Sequence, residues 1–245
     1  MTLLPAAFVL LAAPLASAGE EASIVYRPPA DASVPVRVVD PDRAGERPLP
    51  SVAVLAPDHA GWTATDQPTL AFYQGSEGDA ERIEVAVTPS DGFEPIFETA
   101  LDAAPGEGVR QLSLADHDVR LDPSREYEVT VSAVGTTDDG GRAERTARAG
   151  IRYMPPRTAF AGATSGAGAG ADESDLQRAI RLAGGGVWYD AIAALTRVIH
   201  AGGEDAVTAH RLRSQLLRQV DLALAADFDD RLASRLKPGD PAPQP

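Results

Sequence analysis

The side chains able to do chemistry are few in kind. Four histidines, His59, His117, His200 and His210, are the groups that titrate nearest neutrality. No two stand at metal-ligand spacing, and Gly202-Gly203 separates His200 from His210. His117 lies between Asp116 and Asp118 and reads as a polar turn. Asp138-Asp139-Gly140-Gly141 lacks the alternating carboxylates and closing glutamate of a calcium loop, so it reads as a hairpin turn. The chain has no cysteine, which excludes disulfides, thiolate metal sites and a cysteine nucleophile. The sequence contains no G-x-S-x-G, no phosphate-cradling glycine loop after a strand and no H-E-x-x-H. Ser165 sits in a glycine-alanine stretch rather than at a strained elbow. Carboxylates abound, but in an acidic chain their spacing alone selects no pair for acid–base work. The sequence therefore offers no catalytic, cofactor-binding or metal-binding set.

The aromatic residues are the other candidates. Trp62 and Tyr73 are the residues that would stack on a sugar or small ligand. Tyr189 and Arg197 fall on the expected exposed side of a helical hairpin and are the candidates for contact with a protein partner. Trp188, Tyr127 and Trp62 read as structural anchors, with Trp62 in a loop before the second strand. Burying Trp188 or Tyr189 contributes at most about 4–6 kcal/mol, at roughly 25 cal/mol per Å² over some 150–250 Å².

These residues must be held by elements, and periodicity supplies them. Seven short strands are expected at residues 52–55, 69–73, 82–87, 96–99, 109–114, 126–134 and 143–153. In residues 126–134 the alternation sets Tyr127, Val129, Val131 and Ala133 against Glu126, Glu128, Thr130 and Ser132. The turn at residues 136–141 makes the last two strands a hairpin. Helical spacing follows. Ser174 and Gln177 form a capping-box pair that opens one helix, and Gly184-Gly185-Gly186 ends it. A second helix spans residues 187–201, and a third spans 204–226.

The expected organisation has six parts. Residues 1–18 are an uncharged apolar stretch ending in Ala16-Ser17-Ala18, an export signal cleaved before Gly19. Residues 19–50 are a proline-rich extended arm, and 51–155 the β domain. Residues 156–172 are a Gly/Ala linker, 173–236 the helical unit and 237–245 a disordered tail. The fold class is β-rich α+β, an immunoglobulin- or fibronectin-type-III-like antiparallel β-sandwich followed by a small helical unit.

Three stretches carry resemblances. Leu121-Asp-Pro123-Ser-Arg-Glu-Tyr127 with the strand after it resembles the penultimate strand of fibronectin type III domains. There a tyrosine hydroxyl ties the preceding loop to the sheet. Gly186-Val187-Trp188-Tyr189-Asp190-Ala191-Ile192-Ala193-Ala194-Leu195 resembles the G-x-W-Y-D-A-L-x-x-L segment of a bacterial, mainly cyanobacterial, exported family catalogued as domain of unknown function nine hundred and twenty-eight. Pro68 to Tyr73 resembles that family's Pro-Thr-x-x-F-Tyr strand. The resemblance implies export and this layout, and implies no activity. The same string is similar to the second half of a tetratricopeptide repeat. A repeat array needs about three units to be stable, so these helices must pack on the sandwich or on a partner.

The 245 residues carry 22 basic and 36 acidic side chains, a net charge of −14. The excess lies almost wholly before residue 156, and Lys237 is the only lysine. A pI near 4.6 argues against nucleic acid and anionic membrane as partners, since both need a positive face. The expected function is that of a non-enzymatic, periplasmic or secreted scaffold binding a protein partner in the cell envelope, without membrane insertion after signal cleavage. The alternatives are a small-ligand or polysaccharide-binding module and an enzyme using carboxylates.

Overall fold

Alternating apolar residues build the β unit, because every second side chain of a strand faces the same way. The computed structural model describes residues 22–30, 37–39, 48–155 and 173–236. The expected signal, linker and tail and most of the expected arm lie outside the described residues. The strands are β1 (Val38–Val39), β2 (Val52–Val54), β3 (Gly61–Thr63), β4 (Thr69–Gln74), β5 (Arg82–Pro89), β6 (Phe97–Asp102), β7 (Gly108–Ser113), β8 (Glu126–Thr136) and β9 (Arg142–Tyr153). One sheet runs β1-β9-β8-β5-β6, with β3 also paired to β9, and the other runs β2-β4-β7.

All seven expected strands form. β8 and β9 pair antiparallel from Glu126 opposite Arg152 to Thr136 opposite Arg142, the expected hairpin. Gly140, at φ 82°, takes the left-handed position of its turn. β1 and β3 were not expected. β3 also corrects the purely antiparallel expectation, since Gly61 to Thr63 run parallel to Ile151 to Tyr153. It likewise moves Trp62 from a loop onto a strand, where the ring is half-buried against the core.

The inward rows of the two sheets share one hydrophobic core. Ile83, Val85 and Val87 of β5 meet Tyr127, Val129 and Val131 of β8, Leu70 and Phe72 of β4, and Val52 and Val54 of β2 in a single cluster. The outward face of the larger sheet is charged. Arg142 there bonds Glu84 at 2.7 Å, and Arg82 bonds the same carboxylate at 2.8 Å.

Four helices follow: α1 (Asp175–Gly184), α2 (Trp188–Ala201), α3 (Glu204–Gln219) and α4 (Ala223–Arg235). The Ser174–Gln177 capping box forms at the start of α1. The expected third helix, residues 204–226, is in fact two. The chain breaks at Asp221, whose φ is 57°. The Leu222 N–H returns to the Leu217 carbonyl at 2.9 Å, closing α3 before α4 begins. Leu224, whose spacing from Leu216 and Val220 would continue the apolar stripe of one long helix, is consequently 59% exposed. The helices share the β unit's hydrophobic cluster, so the core is continuous across both.

Candidate functional site

The first turn of α2 joins the helices to the sheets. Trp188, Tyr189 and Asp190 are consecutive, so about 100° separates each from the next around the helix. Each reaches a different backbone group of the β unit. The Trp188 indole N–H donates to the Leu55 carbonyl at 2.7 Å. The Tyr189 hydroxyl donates to the Gly150 carbonyl of β9 at 2.9 Å. The Asp190 carboxylate accepts the Ala64 N–H at 3.0 Å, just beyond β3. Close approach is allowed by Gly61, where a Cβ would meet the Tyr189 ring at 2.8 Å. Burial pushes the Tyr189 hydroxyl and the Asp190 carboxyl up from their ordinary pKa values, the latter against its bonds to Ala64 and Thr63.

Residues 22–30, within the stretch read as a loose arm, lie against this junction without forming helix or strand. Ile24 and Tyr26 are buried, whereas Val25 between them is exposed. The Tyr26 ring meets Trp188 edge to face at 4.8 Å between centroids. Its hydroxyl lies 2.8 Å from Nε2 of buried His59, whose Nδ1 lies 3.1 Å from Asp58. Burial, helped by the charge of Asp58, pushes the Tyr26 hydroxyl up. A cleft of about 310 Å³ opens here, with Asp58 and Asp221 on its lining. Arg37 bridges the Ala56 and Val220 carbonyls at 3.1 and 2.5 Å. Sequence reading placed His59 in no group, because its partners come from 33 residues away and from its own neighbour.

A second buried polar group lies inside the helices. Arg213 binds Asp229 with two nitrogens, each at 2.7 Å, and Thr196 with a third at 2.8 Å. His210 Nδ1 lies 2.7 Å from the same carboxylate. Despite burial, the Arg213 guanidinium and the His210 bond hold the Asp229 carboxyl below the usual range. The arrangement satisfies a buried charge pair.

The other expected site residues fall as follows. Tyr189 is not a surface residue. It is 2% exposed, because α2 is covered on nearly all sides by the β unit and its helical neighbours. Arg197 stays at the surface, bonded to Asp175 at 2.9 Å. Tyr127 accepts the Asp122 N–H at 3.0 Å through its hydroxyl, making the corner between loop and sheet. Tyr73 cannot stack on a sugar, since its ring is buried and its hydroxyl donates to Glu107 at 2.5 Å. Sequence reading missed Phe93, which stands fully in water on the loop between β5 and β6, with Ile96 partly exposed beside it. The Asp91-Gly92 turn preceding it was the available signal. Among the described residues no group of three or more histidine and carboxylate side chains could hold a metal ion. No described helix is long and apolar enough to cross a membrane.

The family described as Domain of Unknown Function (DUF928) matches residues 41–228, more than half of the chain. The chain matches no curated protein. A solved structure, the fn3 domain of the human collagen alpha-1(XX) chain, is similar over 54% of this chain and 99% of that one. The sequence identity is 16% and the TM-score 0.27.

Proposed function

The chain belongs to the DUF928 family, and we propose that it acts as a non-enzymatic, exported scaffold that binds a protein partner in the cell envelope. The β unit is read as a fibronectin-type-III-like sandwich, supported by two sheets over one core and by the Tyr127 corner. The helices are read as a tetratricopeptide-like pair extended by two more. Export rests on the apolar stretch that precedes Ala16-Ser17-Ala18.

The observation that carries the reading is Phe93. A fully exposed aromatic ring at a loop tip gains roughly 1.5–3 kcal/mol when a partner covers it, and such rings anchor interfaces. Glu94 follows it and favours a partner with a basic group beside an apolar pocket, whereas Asp91 is already bonded to Arg125 at 3.0 Å.

Site-specific photo-crosslinking tests this in the producing cells. A photoreactive residue placed at position 93 gives a discrete adduct that the same residue at position 140 does not. Identical patterns from the two positions, or no adduct from either, contradict the proposal.

A further inference from the structure

The seat of residues 24–29 is built as a peptide-binding groove. Gln215 and Gln219 are four apart on α3 and share a face. Gln215 Oε1 accepts the Ile24 N–H at 3.2 Å, and Gln219 Oε1 accepts the Tyr26 N–H at 2.9 Å. Gln219 Nε2 returns a bond to the Ile24 carbonyl at 3.0 Å. The Ala183 carbonyl, near the end of α1, accepts the Arg27 N–H at 3.2 Å. The two glutamine amides thus pair with an extended segment much as a neighbouring strand would.

Side chains supply the selectivity. Ile24 and Tyr26 point inward, and Val25 and Arg27 are exposed, a period of two. Gly186, at φ 79°, leaves room for the segment to pass, since a Cβ there would meet the Arg27 carbonyl at 3.0 Å and the Pro29 ring at 3.3 Å. The family match begins at residue 41, so it contains the groove and leaves out the occupant.

We propose that this groove is a docking site for an extended Ile-Val-Tyr-Arg-Pro-Pro segment, filled in cis by the chain's own residues 24–29 and filled in trans by the same residues of a second copy. The bonds go to backbone groups of that segment, so nothing in them distinguishes which molecule supplies it. Exchange of an identical element is a low-cost route to assembly. The tethered segment competes at an effective concentration on the order of millimolar, so exchange is favoured when the cis segment is weakened. The proposal is independent of Phe93, and its test leaves that residue untouched.

The test uses full-length chains. A labelled synthetic peptide of residues 22–30 is titrated into the wild type, into Tyr26→Asp, and into Tyr26→Asp carrying Gln215→Ala and Gln219→Ala. Tyr26→Ala replaces Tyr26→Asp if the latter does not fold. The expected result is binding to the emptied groove at least about tenfold tighter than to the wild type, where the cis segment competes, with loss of binding when the glutamines are removed. In a second arm, Tyr26→Asp is mixed with a full-length Gln215→Ala, Gln219→Ala chain. One partner then offers an intact groove and the other an intact segment, and light scattering finds a species heavier than either variant alone. Absence of peptide binding, binding indifferent to the glutamines, or a mixture that stays as its separate components overturns the proposal.

Discussion

Tyr189 and Arg197 were paired as interaction candidates, yet they do opposite things. Tyr189 satisfies a buried carbonyl of β9, whereas Arg197 makes a half-exposed ion pair. Tyr189→Phe removes the hydroxyl's bond to the Gly150 carbonyl, which keeps its place in the sheet ladder, and costs about 0.5–1.5 kcal/mol. Arg197→Ala changes stability by less than about 1 kcal/mol, because exposed pairs contribute little. Urea denaturation of both variants checks the contrast, and equal losses contradict it. Asp190 adds a pH dependence. Its carboxyl titrates above the model-peptide value of 3.8 because it is buried. A raised folded-state pKa gives stability that is complete below the unfolded value and is lost as pH rises through the folded one. Asp190→Asn keeps an oxygen for the Ala64 N–H and loses the charge. Its stability relative to the wild type therefore improves as pH rises above the unfolded aspartate value of about 4, whereas a gap that stays constant with pH contradicts the burial argument.

The elements differ in how far their residues announce them. Alternation over six or more residues made β5, β8 and β9 legible, a continuous apolar run marked β4, and runs of two or three glycines marked the ends of α1 and α2. β1 and β3 were not legible, because two or three residues carry no period; they are strands only because β9 offers them a long open edge. The break between α3 and α4 has no glycine or proline to mark it, and the apolar spacing runs through it. It is made by Asp221 in a left-handed conformation, which aspartate tolerates better than most residues. Asp221→Gly should therefore be close to neutral or slightly stabilising. Asp221→Val should lose about 1–2 kcal/mol through backbone strain. Thermal melts of the two variants decide, and an equally tolerated valine contradicts the account. The candidate site was legible only in part. The Trp-Tyr-Asp string stood out as a string, but its bonds to Leu55, Gly150 and Ala64 span between 39 and 133 residues, and no local pattern shows the far partner. Tyr189 was placed on the wrong side for the same reason: helical spacing locates one apolar stripe, and a helix covered nearly all round needs none.

At the scale of the molecule, a net charge of −14 makes the folded chain repel itself. Screening by salt shortens that repulsion to about 3 Å at 1 M. The melting temperature should therefore rise with NaCl, and a flat or falling curve contradicts the account. The larger consequence concerns unity. The hydrophobic cluster runs without interruption from the strands into the helices, and the first turn of α2 bonds the two through three separate backbone groups. The helices are then no independent tail but part of the body that carries the Phe93 loop, and neither part loosens without the other. Native-state hydrogen exchange across a urea series tests this most directly. The account predicts that amides of α2 and of the β8–β9 hairpin lose their protection together, at one urea concentration. Helical amides that open well below the concentration at which β8 and β9 open would contradict it.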